Sequence, residues 1–150
     1  MKTIRLSLAL LLTASFATSL ALAQEKPVEK HTELEDKMEK MNAAWRKLRR
    51  QVADPAQNAS SLALIAEIRA ASAGADKLSP ARAAEVPEAD RARFLANYLA
   101  GMKKLAGMLD SLAAALKAGN NDEAGNALTD IASYQREAHK QFRKPPPERS

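Results

Sequence analysis

Residues Arg93 to Gly119 read RFLANYLAGMKKLAGMLDSLAAALKAG, and the pattern of this stretch decides the fold. Leu95, Tyr98, Leu99, Met102, Leu105, Leu109, Leu112 and Leu116 recur mostly three or four positions apart. That spacing gathers side chains on one stripe of an α-helix, whereas a strand would alternate. Gly119 supplies the left-handed stop at the end of the seam, and Pro87 upstream suits a first helical position. One long amphipathic helix is therefore predicted, beginning near Pro87.

Working outward, the same period recurs on both sides. Downstream, Asn121 or Asp122 is expected to cap a helix that buries Ala124, Leu128, Ile131, Gln135, Ala138 and Phe142, and Pro145-Pro146-Pro147 forbids its continuation. Upstream, Gly74 to Pro87 is a break, because Pro80 and Pro87 cannot sit inside a helix without losing a hydrogen bond. Before the break, Leu62, Ile65, Ile68 and Ser72 mark the buried face of an Ala-rich helix running to about Ala75. The first helix opens at Thr32, whose hydroxyl and the Glu35 carboxylate form a capping-box pair. It buries Leu34, Met38, Met41, Trp45, Leu48 and Val52 and ends at Asp54-Pro55. Four amphipathic helices with short outer connections and a longer middle one predict an all-α, antiparallel up-down-up-down four-helix bundle over residues 32–144.

Composition agrees. The chain has 150 residues, 32 of them Ala and 5 Gly, with 4% aromatics, which suits one helical domain and no sheet. It has no Cys, so disulfide staples, thiolate zinc or iron–sulfur sites, a Cys nucleophile and covalent haem attachment through C-x-x-C-H are all excluded. Residues 1–23 are of another kind: Lys2 and Arg5 precede the apolar run from Leu6 to Leu22, which ends in Ala21-Leu22-Ala23. This reads as a cleavable secretory signal peptide, followed by an extension at 24–31 and, after the bundle, a Pro-rich tail at 145–150. Export to the periplasm is expected, with no membrane insertion once the leader is removed. Without Lys2 and Arg5, 21 basic residues face 18 acidic ones, a net charge of +3. That mixed balance, without basic-aromatic clusters, is no signature of nucleic-acid binding. The Asn58-Ala59-Ser60 sequon is read as chance.

The topology makes one juxtaposition. Helices one and four are antiparallel neighbours, so the start of one lies level with the end of the other. Met38 is six residues past Thr32, or about 9 Å along the axis, and His139 is five residues before Lys144, or about 7.5 Å. A thioether and an imidazole thus come to nearly the same height. Such a pair can hold haem iron at both axial positions. A Met on a seam is also ordinary core packing, and a His near a helix C-terminus complements the macrodipole. Spacing alone leaves both readings open.

The flanking residues favour one of them. Thr32-Glu33-Leu34-Glu35-Asp36-Lys37-Met38-Glu39 resembles the N-terminal motif of the cytochrome b562 family, and Ala138-His139-Lys140-Gln141-Phe142-Arg143 is similar to that family's final helix. Ile68-Arg69-Ala70-Ala71 and Glu123-Ala124 also resemble it. The resemblance spans Thr32 to Arg143, with a different middle loop and hairpins of different length. It implies a soluble periplasmic bundle that carries one noncovalent b-type haem, with Met38 and His139 as axial ligands to the iron. It further implies that Phe94 and Tyr98 lie against the porphyrin and Arg143 near its propionates.

Competing sites are weaker. A di-iron bundle needs Glu-x-x-His motifs, and the residues three before His139 and His31 are Arg136 and Val28. No Ser stands in a strand-turn-helix elbow. His31 is read as a solvated residue before the first helix, and Lys103-Lys104 and Arg49-Arg50 as solvated faces that can steer an acidic redox partner. The expected function is one-electron transfer by a monomer rather than catalysis, with an unidentified protein as redox partner. The alternative is a haem-free periplasmic bundle that binds metal ions or a protein partner.

Overall fold

The computed structural model describes residues 32–144. The expected leader, the extension with His31, and the Pro-rich tail lie outside the described residues. Four helices follow in order: α1 (Glu33–Gln51), α2 (Asn58–Ala75), α3 (Glu88–Lys117) and α4 (Asn121–Phe142). Short 3-10 turns at Pro55–Gln57 and Ala81–Glu85 break the first and middle connections, and there is no strand among the described residues. α1 packs closely on α2, α2 on α3 and α3 on α4, while the backbones of α1 and α4 approach at few points. This is the expected up-down-up-down bundle.

The helix ends have local causes. The N–H of Glu35 donates to Thr32 Oγ1 at 3.2 Å, and the N–H of Thr32 donates to Glu35 Oε2 at 2.7 Å, completing the capping box. At the other end of α3, Gly119 takes φ +72°; its N–H bonds to the Leu116 carbonyl and the N–H of Asn120 to that of Ala115. That is a Schellman stop, whose left-handed position favours a residue without Cβ.

Several boundaries differ from expectation. Asn120, not Asn121 or Asp122, caps α4, its Oδ1 accepting from the N–H of Glu123 at 3.2 Å. The Schellman turn delivers Asn120 in the non-helical conformation that a cap requires, and so frees Asn121 for another task. Pro87 stands as the N-cap of α3 rather than its first helical residue. α1 closes at Gln51, because Asp54 is drawn off to cap the 3-10 turn by accepting from the N–H of Ala56.

The core runs the length of the bundle. Leu48, Leu109, Leu112 and Ile131 are fully buried and belong to one cluster that includes Trp45, Ile65, Ile68 and Leu128. Burying a side chain of this size is worth about 1.5–3 kcal/mol, so this cluster is the main source of stability. Two seam positions are corrected. Leu99 is 43% exposed, because Tyr98, one residue earlier and about 100° away around the helix, takes the inward face. Leu62 is only partly buried, since α2 turns Ser61, Leu64 and Ile65 inward. A smaller cluster of Ala75, Tyr98 and Met102 closes the other end, with Leu34, Met38 and Phe142 packed against it. Among the described residues no helix is long and apolar enough to cross a membrane.

Candidate functional site

Between the two clusters lies a cavity of about 70 Å³. α1 contributes Met38 and Met41, and α3 contributes Tyr98, Gly101, Met102 and Leu105. α4 contributes Tyr134, Gln135, Ala138, His139 and Phe142, and no residue of α2 takes part. The cavity therefore opens where α1 and α4 are least closely packed. It also explains the end of the α4 seam: Ala124, Leu128 and Ile131 are buried, while Gln135, Ala138 and Phe142 are only partly so because they face this space. A broader hollow over Asp36, Glu39, Lys40 and Ala43 is a surface depression on α1 alone.

The structure brings Met38 and His139 to one cavity from opposite helices. Met38 is partly buried, while His139 is exposed as a whole residue and lines the cavity with part of its surface. Burial of that part, followed by the positive charge of Arg143, holds the imidazole below its ordinary pKa. A neutral ring follows at pH 7, and only the neutral ring has a lone pair to offer a metal. Arg143 itself is exposed; it caps α4, its N–H bonding to the His139 carbonyl at 3.0 Å.

Tyr98 lines the cavity, as expected, but its hydroxyl points elsewhere. It donates to the Ala75 carbonyl at 2.9 Å, and burial together with the nearby Asp76 charge pushes its pKa up to about 12. Phe94 does not line the cavity. It reaches the site through Phe142, whose ring meets Phe94 edge-on at 5.4 Å and Tyr98 at 5.5 Å. α4 thus brings an aromatic between the two expected ones.

Tyr134 and Gly101 are the site residues that pattern reading passed over. The Tyr134 hydroxyl donates to the Gly101 carbonyl at 2.9 Å, and the Lys104 ammonium lies 4.8 Å from the centre of its ring. A Cβ on Gly101 would sit 2.9 Å from Tyr134 Oη. A glycine inside a helix costs about 1 kcal/mol relative to alanine, but Gly107 in the same helix has nothing near it, so the residue type alone did not mark Gly101. Tyr134 gave a faint sign, three residues after Ile131 and four before Ala138.

With Tyr98 and Tyr134 both spent on backbone carbonyls, the cavity wall offers sulfur, aromatic and aliphatic surface, the Gln135 amide and one imidazole. A soft thioether and a neutral imidazole on facing helices form a donor set suited to haem iron. Among the described residues no group of three or more His, Asp or Glu side chains is placed to hold a bare metal ion. The bundle and its cavity thus define a four-helix protein with a largely apolar site between α1, α3 and α4, lined by a thioether and an imidazole.

The comparisons with known proteins agree. The family model for cytochrome b562 matches residues 33–143, and the chain belongs to that family of haem-binding electron-transfer cytochromes. The cofactor of the family is a b-type haem held without covalent bonds. Comparison with individually curated proteins gives no match.

Proposed function

We propose that this protein is a periplasmic electron carrier in which Met38 and His139 hold the iron of one b-type haem. The observation that carries the reading is the single cavity that both side chains line, from α1 and from α4. The matched family supports the cofactor, and the leader-like residues 1–23 support export.

When bound, the haem supplies a one-electron couple. The residues of the chain set its conditions. Met38 and His139 would together hold the iron, which would leave no open coordination site for a substrate and would favour electron transfer over catalysis. A thioether ligand stabilises the reduced iron and raises the potential. Met41, Met102, Leu105 and Phe142 exclude water and keep the dielectric low, which further disfavours the more highly charged oxidised state. Because the Tyr98 and Tyr134 hydroxyls are satisfied by Ala75 and Gly101, neither offers a competing polar group. Arg143, whose charge acts on His139, suits an anionic propionate. The α1/α4 side, the loosest seam of the bundle, is where the bundle can give way to seat a macrocycle.

The redox partner is an acidic protein surface in this reading. Lys103 and Lys104 are exposed on α3, and Lys104 covers the outer side of Tyr134, which lines the cavity. Positive charge beside the site raises the encounter rate with an acidic partner and makes it fall with salt.

Absorption spectra of the purified protein in both oxidation states test the proposal. A six-coordinate low-spin haem spectrum is expected, converted by Met38→Ala to one with an open axial position. A preparation that is purified without colour and in which added haemin keeps the spectrum of the free cofactor would overturn it.

A further inference from the structure

The start of α4 carries an interaction far from the cavity. Asn121 Nδ2 donates to the Val52 carbonyl at 2.7 Å and to Asn58 Oδ1 at 2.8 Å. Asn58 Nδ2 returns a bond to Asn121 Oδ1 and donates to the Leu116 carbonyl, both at 3.3 Å. Val52 is the C-cap of α1, and its carbonyl is one of the groups a helix end leaves without an internal partner. This reciprocal amide pair therefore ties the last turns of α1 and α3 to the first turns of α2 and α4.

Its position on α4 is informative. His139 lies 18 residues after Asn121, or five whole turns, so both project from the same side of the helix at levels about 27 Å apart. Met38 lies 14 residues before Val52, about 21 Å along α1 in the same direction. The backbones of the two residues are thus offset by about 6 Å, roughly one turn. Helical side chains lean toward their own N-terminus, and α1 and α4 run oppositely. Met38 accordingly leans away from the amide pair and His139 leans back toward it, which brings the two side chains to a common level. That convergence holds for one axial register of α4 on α1. The bond from Asn121 to Val52 is a direct polar tie between α4 and the end of α1, beside the side-chain packing of Leu128 and Ile131 in the core they share with α1.

We propose that Asn121 is a positioning residue for the cofactor site: by anchoring α4 to the end of α1 it sets the level at which His139 meets Met38. The inference rests on the axial pair proposed above. The amide acts as a datum at one end of the bundle, and the ligands meet at the other.

The test is carbon monoxide affinity of the reduced, haem-loaded full chain, because carbon monoxide competes with the axial thioether. Asn121→Asp keeps the shape of the side chain, and its charge suits a helix N-terminus, so the fold is retained while the bond to Val52 is lost. It should bind carbon monoxide about tenfold more tightly than the parent, the factor expected when one partly buried hydrogen bond no longer holds the closed form. Asn120→Ala is the control: it removes the α4 cap and should lower the melting temperature of the haem-free protein, yet leave carbon monoxide affinity unchanged. Parent-like affinity in Asn121→Asp, or an equal rise in Asn120→Ala, overturns the inference. Met38→Ala separates the two levels. If it opens the site while the Asn121 variant does not, the positioning role alone falls; if it changes nothing, the axial pair falls and the positioning role with it.

Discussion

Two glycines of α3 should respond in opposite senses to the same substitution. Gly107 has nothing within 4 Å of a built Cβ, so Gly107→Ala should gain the ordinary helix-propensity difference of about 0.8–1 kcal/mol. At Gly101 the same gain is available, but the new methyl would lie 2.9 Å from Tyr134 Oη. The ring must move, which breaks its bond to the Gly101 carbonyl, worth about 1 kcal/mol, and its contact with Lys104, worth about 0.5–1 kcal/mol at an exposed site. Residual crowding adds to that loss. Gly101→Ala should therefore fall about 2 kcal/mol below Gly107→Ala and end less stable than the parent. Urea unfolding of the haem-free variants, followed by far-ultraviolet circular dichroism, measures both. Adding Tyr134→Phe should recover part of the deficit, because the methyl then meets no oxygen. Equal gains at the two glycines would show that Tyr134 does not rest on Gly101 in solution.

Other perturbations follow from the same contacts. Leu109→Ala empties a fully buried position and should cost about 2–5 kcal/mol in denaturant unfolding. Thr32→Ala removes the acceptor for the Glu35 N–H and should cost about 1 kcal/mol, read as a lower melting temperature. Tyr98 keeps its proton in the folded state up to about pH 12, whereas in the unfolded chain it ionises at its ordinary value of 10.0. Its contribution is complete below pH 10, where both states are protonated, and is lost as pH rises from 10 to 12. Tyr98→Phe should flatten that alkaline decline and also lower stability near neutral pH, because the buried Ala75 carbonyl loses its donor.

The periodicity of α3 and α4 was legible because apolar side chains must share one stripe, and four such stripes admit few topologies. Helix ends were legible where one residue type has little alternative, as with Gly119 and the Thr32–Glu35 pair. They were misplaced where neighbours compete for a role: Asn120 and Asn121 are alike on paper, and the geometry of the turn before them decides which one caps. Leu99 failed for a related reason, since the choice between two adjacent large residues rests on whether Tyr98 can reach the Ala75 carbonyl. Of the expected site residues, Met38, Tyr98 and His139 line the cavity, Phe94 touches it only through Phe142, and Arg143 acts on His139 through its charge. Tyr134 falls at helical spacing from Ile131 and Ala138, which marks the face it lies on, but its bond to the Gly101 carbonyl of another helix is not encoded in that spacing.

Haemin titration of the purified chain bears most directly on the axial pair, read in the reduced state for the parent and for Met38→Ala and His139→Ala. The parent should take up one equivalent and give a six-coordinate low-spin spectrum, and each variant should give one axial position open to carbon monoxide. Retention of the parent spectrum in both variants would show that the iron is held elsewhere.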